Sequence, residues 1–298
     1  MNKQMPSGGN SPRQGQGRPP LLRYTKDGFA VALVALVFAL QLAIFFGVDD
    51  PWHALGFVLL LLPVQVSCVA VCHNHHHVNV FTRRPLNRLF EVVMYLQTGT
   101  SPLSWTIHHN IGHHHLYLEP DRDPSRWRHR DGRMMSRLWY DIYNAAMIYP
   151  EIIRIGRDYP ALFARFKRWF AVSNLVLLGF VLLDPLQALI VFAGPMLLLL
   201  VLLLDNTWNQ HSGLDADNHY EASRSVENRL YNLTSWNLGF HAAHHMHPGV
   251  HWTELPALHA RIRPRIPPHL ITTSLVGAPS AEEKALRERA VAAGTAGP

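Results

Sequence analysis

Trp105-Thr106-Ile107-His108-His109-Asn110-Ile111-Gly112-His113-His114-His115 places five of the chain's 20 histidines within eleven residues. Two further clusters lie outward from it. Upstream is His73-Asn74-His75-His76-His77, and downstream is His241-Ala242-Ala243-His244-His245. On an α-helix, residues i and i+4 share a face and i+3 lies close by. The spacing therefore predicts that His73 points with His77. His109 points with His113, and His114 lies about 100° round the axis. His241, His244 and His245 form a third patch. Neutral imidazole is the commonest protein ligand for transition metals. Three such patches predict one all-nitrogen metal centre. The isolated histidines His53, His129, His219, His259 and His269 read as surface or satisfied core residues.

Only 16% of the 298 residues are charged, against about 25% in globular chains. The shortfall is local. Gly28 to Gly47 has one polar side chain, Gln41, and at about 1.5 Å per residue it crosses a hydrocarbon core of roughly 30 Å. After the turn Val48-Asp49-Asp50-Pro51, a second apolar run extends from Trp52 to Val71. Pro63 and Gln65 within it predict a kink or inward packing. Trp169 to Leu204 forms a third block, divided by Asp184-Pro185 into two antiparallel spans, the first starting near Phe163 to Lys167. The stretches Leu86 to Leu103 and Trp139 to Ile155 read as amphipathic or interfacial helices.

These patterns predict an all-α membrane protein. Four transmembrane helices form two hairpins, beneath a cytosolic helical cap that carries the histidine clusters. The spans fall at about 28–47, 52–71, 166–183 and 186–204. Residues 1–27 are expected to be a disordered cytosolic tail, because residues 1–20 hold four Gly, four Pro and no acid. The membrane domain runs over 28–279. A C-terminal tail, 280–298, opens with an Ala/Glu/Arg helix candidate.

The net charge of +6 reads as basic cytosolic loops, and no basic-aromatic nucleic-acid motif is present. Cys68 and Cys72 form neither a disulfide framework nor a thiolate zinc motif, and read as small core residues. The turns at Asp49-Asp50 and Asp184 carry no basic residue, whereas the N-terminal tail and residues 72–168 are rich in Lys and Arg. Both turns should therefore face out, with both termini cytosolic. All three histidine clusters and His211 then fall on one side of the membrane. Nine histidines are too many for one ion and suit two. The Glu-x-x-His ligands of soluble di-iron bundles are missing.

The three clusters, in order and with four spans, resemble the membrane fatty acid desaturase superfamily, which includes related hydroxylases, ketolases and acyl decarboxylases. The resemblance rests on His73-x3-His77, His109-x3-His113-His114 and His241-x2-His244-His245. It continues in Asn237-Leu238-Gly239-Phe240 before the third box and in Trp252-x2-Leu255-Pro256-x2-His259 after it. It covers most of residues 28 to 262, and the family's single histidine past the last span maps to His211.

The resemblance implies two non-haem iron ions ligated by His73, His77, His109, His113, His114, His211, His241, His244 and His245. It also implies O2, and electrons from a separate ferredoxin- or cytochrome-type donor. The substrate would be an acyl chain on coenzyme A, on acyl carrier protein or in a membrane lipid, attacked at an unreactive C–H bond. An apolar tunnel would fix one methylene beside the metals. Ligating imidazoles are usually oriented by carboxylates; Asp121, Asp123, Asp205 and Glu254 are candidates, with Asn237 beside box three. The surplus His75, His76, His108 and His115 are expected in supporting or surface roles. Arg126, Arg128 and Arg130 belong to a run of six arginines in sixteen residues and are candidates to dock an anionic carrier or anionic lipid. The leading reading is a desaturase in a bacterial inner membrane; a hydroxylase, ketolase or terminal-olefin-forming decarboxylase would use the same boxes. A membrane metal transporter or metal-binding protein would place ionisable ligands within the bilayer, whereas here they gather at one face.

Overall fold

The helix that carries the first histidine cluster has a sequence-coded start. Asp50 accepts a hydrogen bond from the His53 N–H at 2.8 Å, and Pro51 occupies the first turn, where a missing N–H costs little. This is α2 (Pro51–His77), joined by a three-residue turn to α1 (Asp27–Gly47). α2 continues past the predicted limit at residue 71, so the first cluster forms its last turns. The computed structural model describes residues 20–119 and 121–292. Further along lie α3 (Arg84–Thr98), a π-helix (Thr106–His113) prolonged by His114–Leu116, α4 (Arg137–Gly156), α5 (Pro160–Leu183) and α6 (Pro185–His211).

Four helices, α1, α2, α5 and α6, are long and apolar enough to cross a membrane. Their outward residues, such as Phe46, Leu60, Leu182 and Leu197, are exposed and apolar, as a lipid-facing surface requires. Polar side chains inside the bundle are spent on backbone carbonyls. Gln65 donates to Gln97 O at 2.7 Å, and Gln97 donates to Val34 O at 2.8 Å. Gln41 donates to Val191 O at 3.1 Å. In α-helical register that carbonyl would accept from residue 195, which is Pro195 and has no N–H. The helix answers with a π-turn over Leu189–Ala193, and Gln41 supplies a donor.

α3 lies between α1, α2, α5 and α6 and is buried through most of its second half. Of the reading of Leu86 to Leu103 as an amphipathic or interfacial helix, the amphipathic part holds: Arg84 and Leu89 are exposed, Phe90, Met94 and Tyr95 are buried, and the buried Glu91 and Gln97 have partners inside the protein. Gly99 ends α3 at φ +73°, and a Cβ there would stand 2.4 Å from Met196 O, so this crossing with α6 requires glycine. α5 meets α6 at the Asp184 turn, where Phe180 and Phe192 are 4.4 Å apart, and otherwise packs against α3 and α4.

The remaining chain folds over one end of this bundle. It comprises α7 (Arg229–Thr234), α8 (His241–Met246), α9 (Leu255–Ile262) and α10 (Ala281–Ala292), with β1 (Ser225–Val226) paired in parallel to β2 (Ile271–Thr272). The predicted disordered tail also needs correction. Its first 19 residues lie outside those described, but residues 20–27 are built into the fold. Arg23 N donates to Val80 O at 2.8 Å and Thr82 N to Leu21 O at 3.1 Å. Asp27 is buried and accepts from His251 at 2.9 Å and from Trp252 at 3.0 Å. At the other terminus, Glu283 of α10 is buried against Arg224.

Candidate metal centre

The last turn of α2, the π-helix, the C-terminus of α6 and α8 converge. All nine predicted ligand histidines come together there, in two adjoining groups. Single nitrogens of His73, His77, His109, His114 and His244 all lie within 4.8 Å of one another, as do those of His113, His211 and His245. His241 joins the second group, with its Nε2 2.9 Å from His211 Nε2 and 3.0 Å from His245 Nε2. In the first group, His244 Nε2 lies 3.0 Å from His73 Nε2 and 3.1 Å from His114 Nε2. Two nitrogens each about 2.1 Å from one ion, and roughly at right angles, stand about 3 Å apart. The spacing is that of ligands sharing an ion.

The second box divides differently from its α-helical reading. His109 and His114, five residues apart, meet at Nε2–Nε2 3.1 Å. His113 belongs to the other group, although its ring stacks on that of His109 at 5.0 Å. The wider π-turn, with its i to i+5 hydrogen bonds, is the physical reason. Box three also divides: His241 and His245, one α-turn apart, go to the second group and His244 to the first. Gly112 lets this helix sit tightly, because a Cβ there would fall 2.7 Å from both Ile155 and Pro124.

Imidazole orientation is fixed from behind. His113 Nδ1 lies 2.8 Å from an Asp123 carboxylate oxygen, and Asp123 also accepts from Ser125 N at 2.8 Å. The Nδ1–H of His113 is thereby committed, and its buried Nε2 has no partner among the described residues. His211 donates from Nδ1 to Ala222 O at 2.9 Å, which likewise leaves Nε2 as a lone pair. His77 Nε2 is buried and unpartnered too. The Trp105 ring stacks on His109 at 4.5 Å and the Tyr117 ring lies 4.2 Å from His245. Burial, with like charge from neighbouring imidazoles second, lowers the pKa of His109, His114, His241 and His245 well below the usual histidine value; His244 falls to about 3. These rings are neutral at neutral pH, the ligating form.

The supporting residues are placed unequally. Of the carboxylates proposed from sequence, only Asp123 contacts one of the nine histidines, His113. Asp121 pairs with Arg128 at 3.1 Å, Asp205 pairs with Arg137, and Glu254 is exposed. Asn237 donates to Trp252 O at 3.1 Å and so ties the loop before box three to the segment after it. Sequence reading missed Glu91, which meets the surplus His75 at 3.1 Å, and Glu227, which meets His259 at 2.9 Å. Neither stands at a spacing that pairs it with its histidine. His76 and His108 are buried outside the two groups, and His115 is exposed. The arginine docking expectation is weakened. Arg128 is compensated by Asp121 and Asp215, Arg126 packs over the Tyr143 ring, and only Arg130 is exposed and without an ion pair among the described residues.

The fatty acid desaturase family model matches residues 50–276, a stretch that contains all nine histidines. The chain belongs to the fatty acid desaturase family. No curated protein matches the chain. The family and the two histidine groups together fit a membrane oxidoreductase with a non-haem di-iron centre. Desaturase boxes one, two and three thus each supply the first group, while only two and three supply the second.

Asp123 gives a direct test of orientation. Asp123→Asn should lower iron affinity about 10–100-fold, read by competition with a chelator. Asp121→Asn, on the surface, should leave it unchanged. Equal affinities in the two variants would remove Asp123 from the centre.

Proposed function

We propose that the chain is an O2-dependent desaturase of fatty acyl chains, with two iron ions held by the nine imidazoles. The observation that carries this reading is a cavity of about 370 Å³ that reaches His73 of the first group. Val69, Ala70, Leu203 and Leu238 give it apolar walls, Asn209 and Gln210 polar ones, and the Arg137–Asp205 ion pair a charged one. Such a lining suits an acyl chain held with one segment beside the ligands.

Bound iron supplies O2 activation sufficient to remove hydrogen from an unreactive C–H bond. The overall change takes two hydrogens from adjacent carbons. With two electrons and two protons from a donor, it reduces one O2 to two waters. The chain's residues supply the setting. Asp123 and the Ala222 carbonyl hold His113 and His211 with Nε2 turned toward the other imidazoles. Burial keeps His109, His114, His241, His244 and His245 neutral. The apolar walls position the chain and exclude water. The electrons come from a ferredoxin- or cytochrome-type partner, and the acyl chain arrives on coenzyme A, acyl carrier protein or a membrane lipid.

Expression in a host of known lipid profile, followed by mass spectrometry of its acyl groups, tests the reading. A new double bond is expected. A hydroxy or keto acyl group, or a terminal olefin one carbon shorter, would reassign the chain to hydroxylase, ketolase or decarboxylase chemistry. An unchanged profile from iron-loaded protein with a working donor would sink all four. A metal transporter is disfavoured because the ligands gather at one end of the bundle instead of along it.

The proposed setting is a bacterial inner membrane with both termini cytosolic. Supporting it, the Asp27–His251 and Arg224–Glu283 contacts tie both ends of the described chain to the histidine end of the bundle, the side rich in basic loops. A reporter fused after Pro298 should read as cytosolic, and an external signal would overturn the topology.

A further inference from the structure

Behind box one, on the far side of the last turn of α2, lies a second cavity of about 510 Å³. Its walls carry three guanidinium groups, Arg84, Arg88 and Arg165, together with Asn79, Leu162 and Trp169. Arg88 is compensated by Glu91. Arg84 and Arg165 are exposed and have no ion pair among the described residues. Burial lowers the Arg88 pKa, and the like charge of Arg165 opposes its ionisation further. α3 also begins here. It is a 15-residue helix whose first turn contains no acid and whose Arg83 cap makes no side-chain hydrogen bond. A helix start of this kind favours an anion, and here it lies among arginines that lack a counter-charge. His76 forms part of the wall. Its Nδ1 lies 2.8 Å from Cys72 O, to which it donates, and its buried Nε2 has no partner among the described residues. The partner that Nε2 lacks is therefore a hydrogen-bond donor.

We propose that this cavity binds a phosphate ester: the phosphate between Arg84 and Arg165, a neighbouring ligand hydroxyl toward His76, and the apolar remainder along Leu162 and Trp169. Arginine takes phosphate in bidentate fashion, and basic pockets between membrane helices accept lipid head groups. Two sources share this chemistry: an anionic glycerophospholipid of the surrounding leaflet, and the phosphate-bearing carrier of an acyl chain. The proposal does not depend on the reaction assigned above, because its test reads binding and not turnover.

The test uses the full chain, purified with its iron in a neutral detergent. The probes are coenzyme A and dihexanoyl phosphatidylglycerol, with dihexanoyl phosphatidylcholine as the zwitterionic control. The Arg84→Gln/Arg165→Gln double variant should bind one of the anionic probes roughly tenfold or more weaker than the parent chain, with iron stoichiometry unchanged. Loss confined to coenzyme A assigns the cavity to the carrier; loss confined to phosphatidylglycerol assigns it to lipid. Arg122→Gln/Arg133→Gln removes the same charge elsewhere on the surface and should leave both affinities intact. Absence of binding by the parent chain, binding unchanged in Arg84→Gln/Arg165→Gln, or an equal loss in the two double variants would overturn the proposal.

Discussion

His211→Ala should abolish turnover and reduce iron from about two ions per chain to about one. The four-imidazole group of His113, His211, His241 and His245 would keep three ligands. The five-imidazole group would be untouched. His77→Ala should retain more iron, because its group falls only from five ligands to four. Both variants should lose turnover if O2 chemistry requires the pair of ions. Iron determination on purified protein, beside an activity assay, reads both effects. His129→Ala, on the surface loop, should keep iron and activity. Two ions and full turnover in His211→Ala would remove that residue from the centre.

Glu283→Ala should destabilise the protein by about 3–5 kcal/mol, the usual effect of leaving one member of a buried ion pair unpaired. The Arg224 and Glu283 side chains are only 1% and 3% exposed. Arg224 also donates to Asn209 O at 2.8 Å and to Ser212 O at 2.6 Å, which fastens the segment after α6. Ala222, whose carbonyl orients His211, lies two residues away in that segment. The variant should therefore release iron from the four-imidazole group on mild heating, before global unfolding. Arg224→Leu/Glu283→Leu should recover most of the lost stability, since no charge is then stranded. A melting temperature equal to that of the parent chain would show that α10 contributes nothing to the cap.

Much of this was legible in the residues. Four apolar runs mark four long helices because nothing in a bilayer core can satisfy a backbone except the helix itself. Eight of the nine clustered histidines were legible because each box repeats near a helical turn, and His211, outside the boxes, through the family resemblance. Their division between two groups was not. An α-helical wheel pairs His109 with His113, whereas the π-turn pairs His109 with His114, and no residue type announces a π-turn. The burial of α3 was hidden for another reason. Glu91 and Gln97 look solvated until their partners, His75 for the first and the Val34 carbonyl of α1 for the second, are known. Among the candidate carboxylates, only the fold separates Asp123 from Asp121, two residues apart, with one behind His113 and the other facing solvent.

The contact between Asp27 and His251 joins residues 224 positions apart. Box three, which supplies ligands to both groups, comes almost as late in synthesis. When the first helix leaves the ribosome, its N-terminal latch has no partner, and neither histidine group is complete. Neither histidine group can therefore offer its full set of imidazoles to a metal until box three has been synthesised and folded back onto α2.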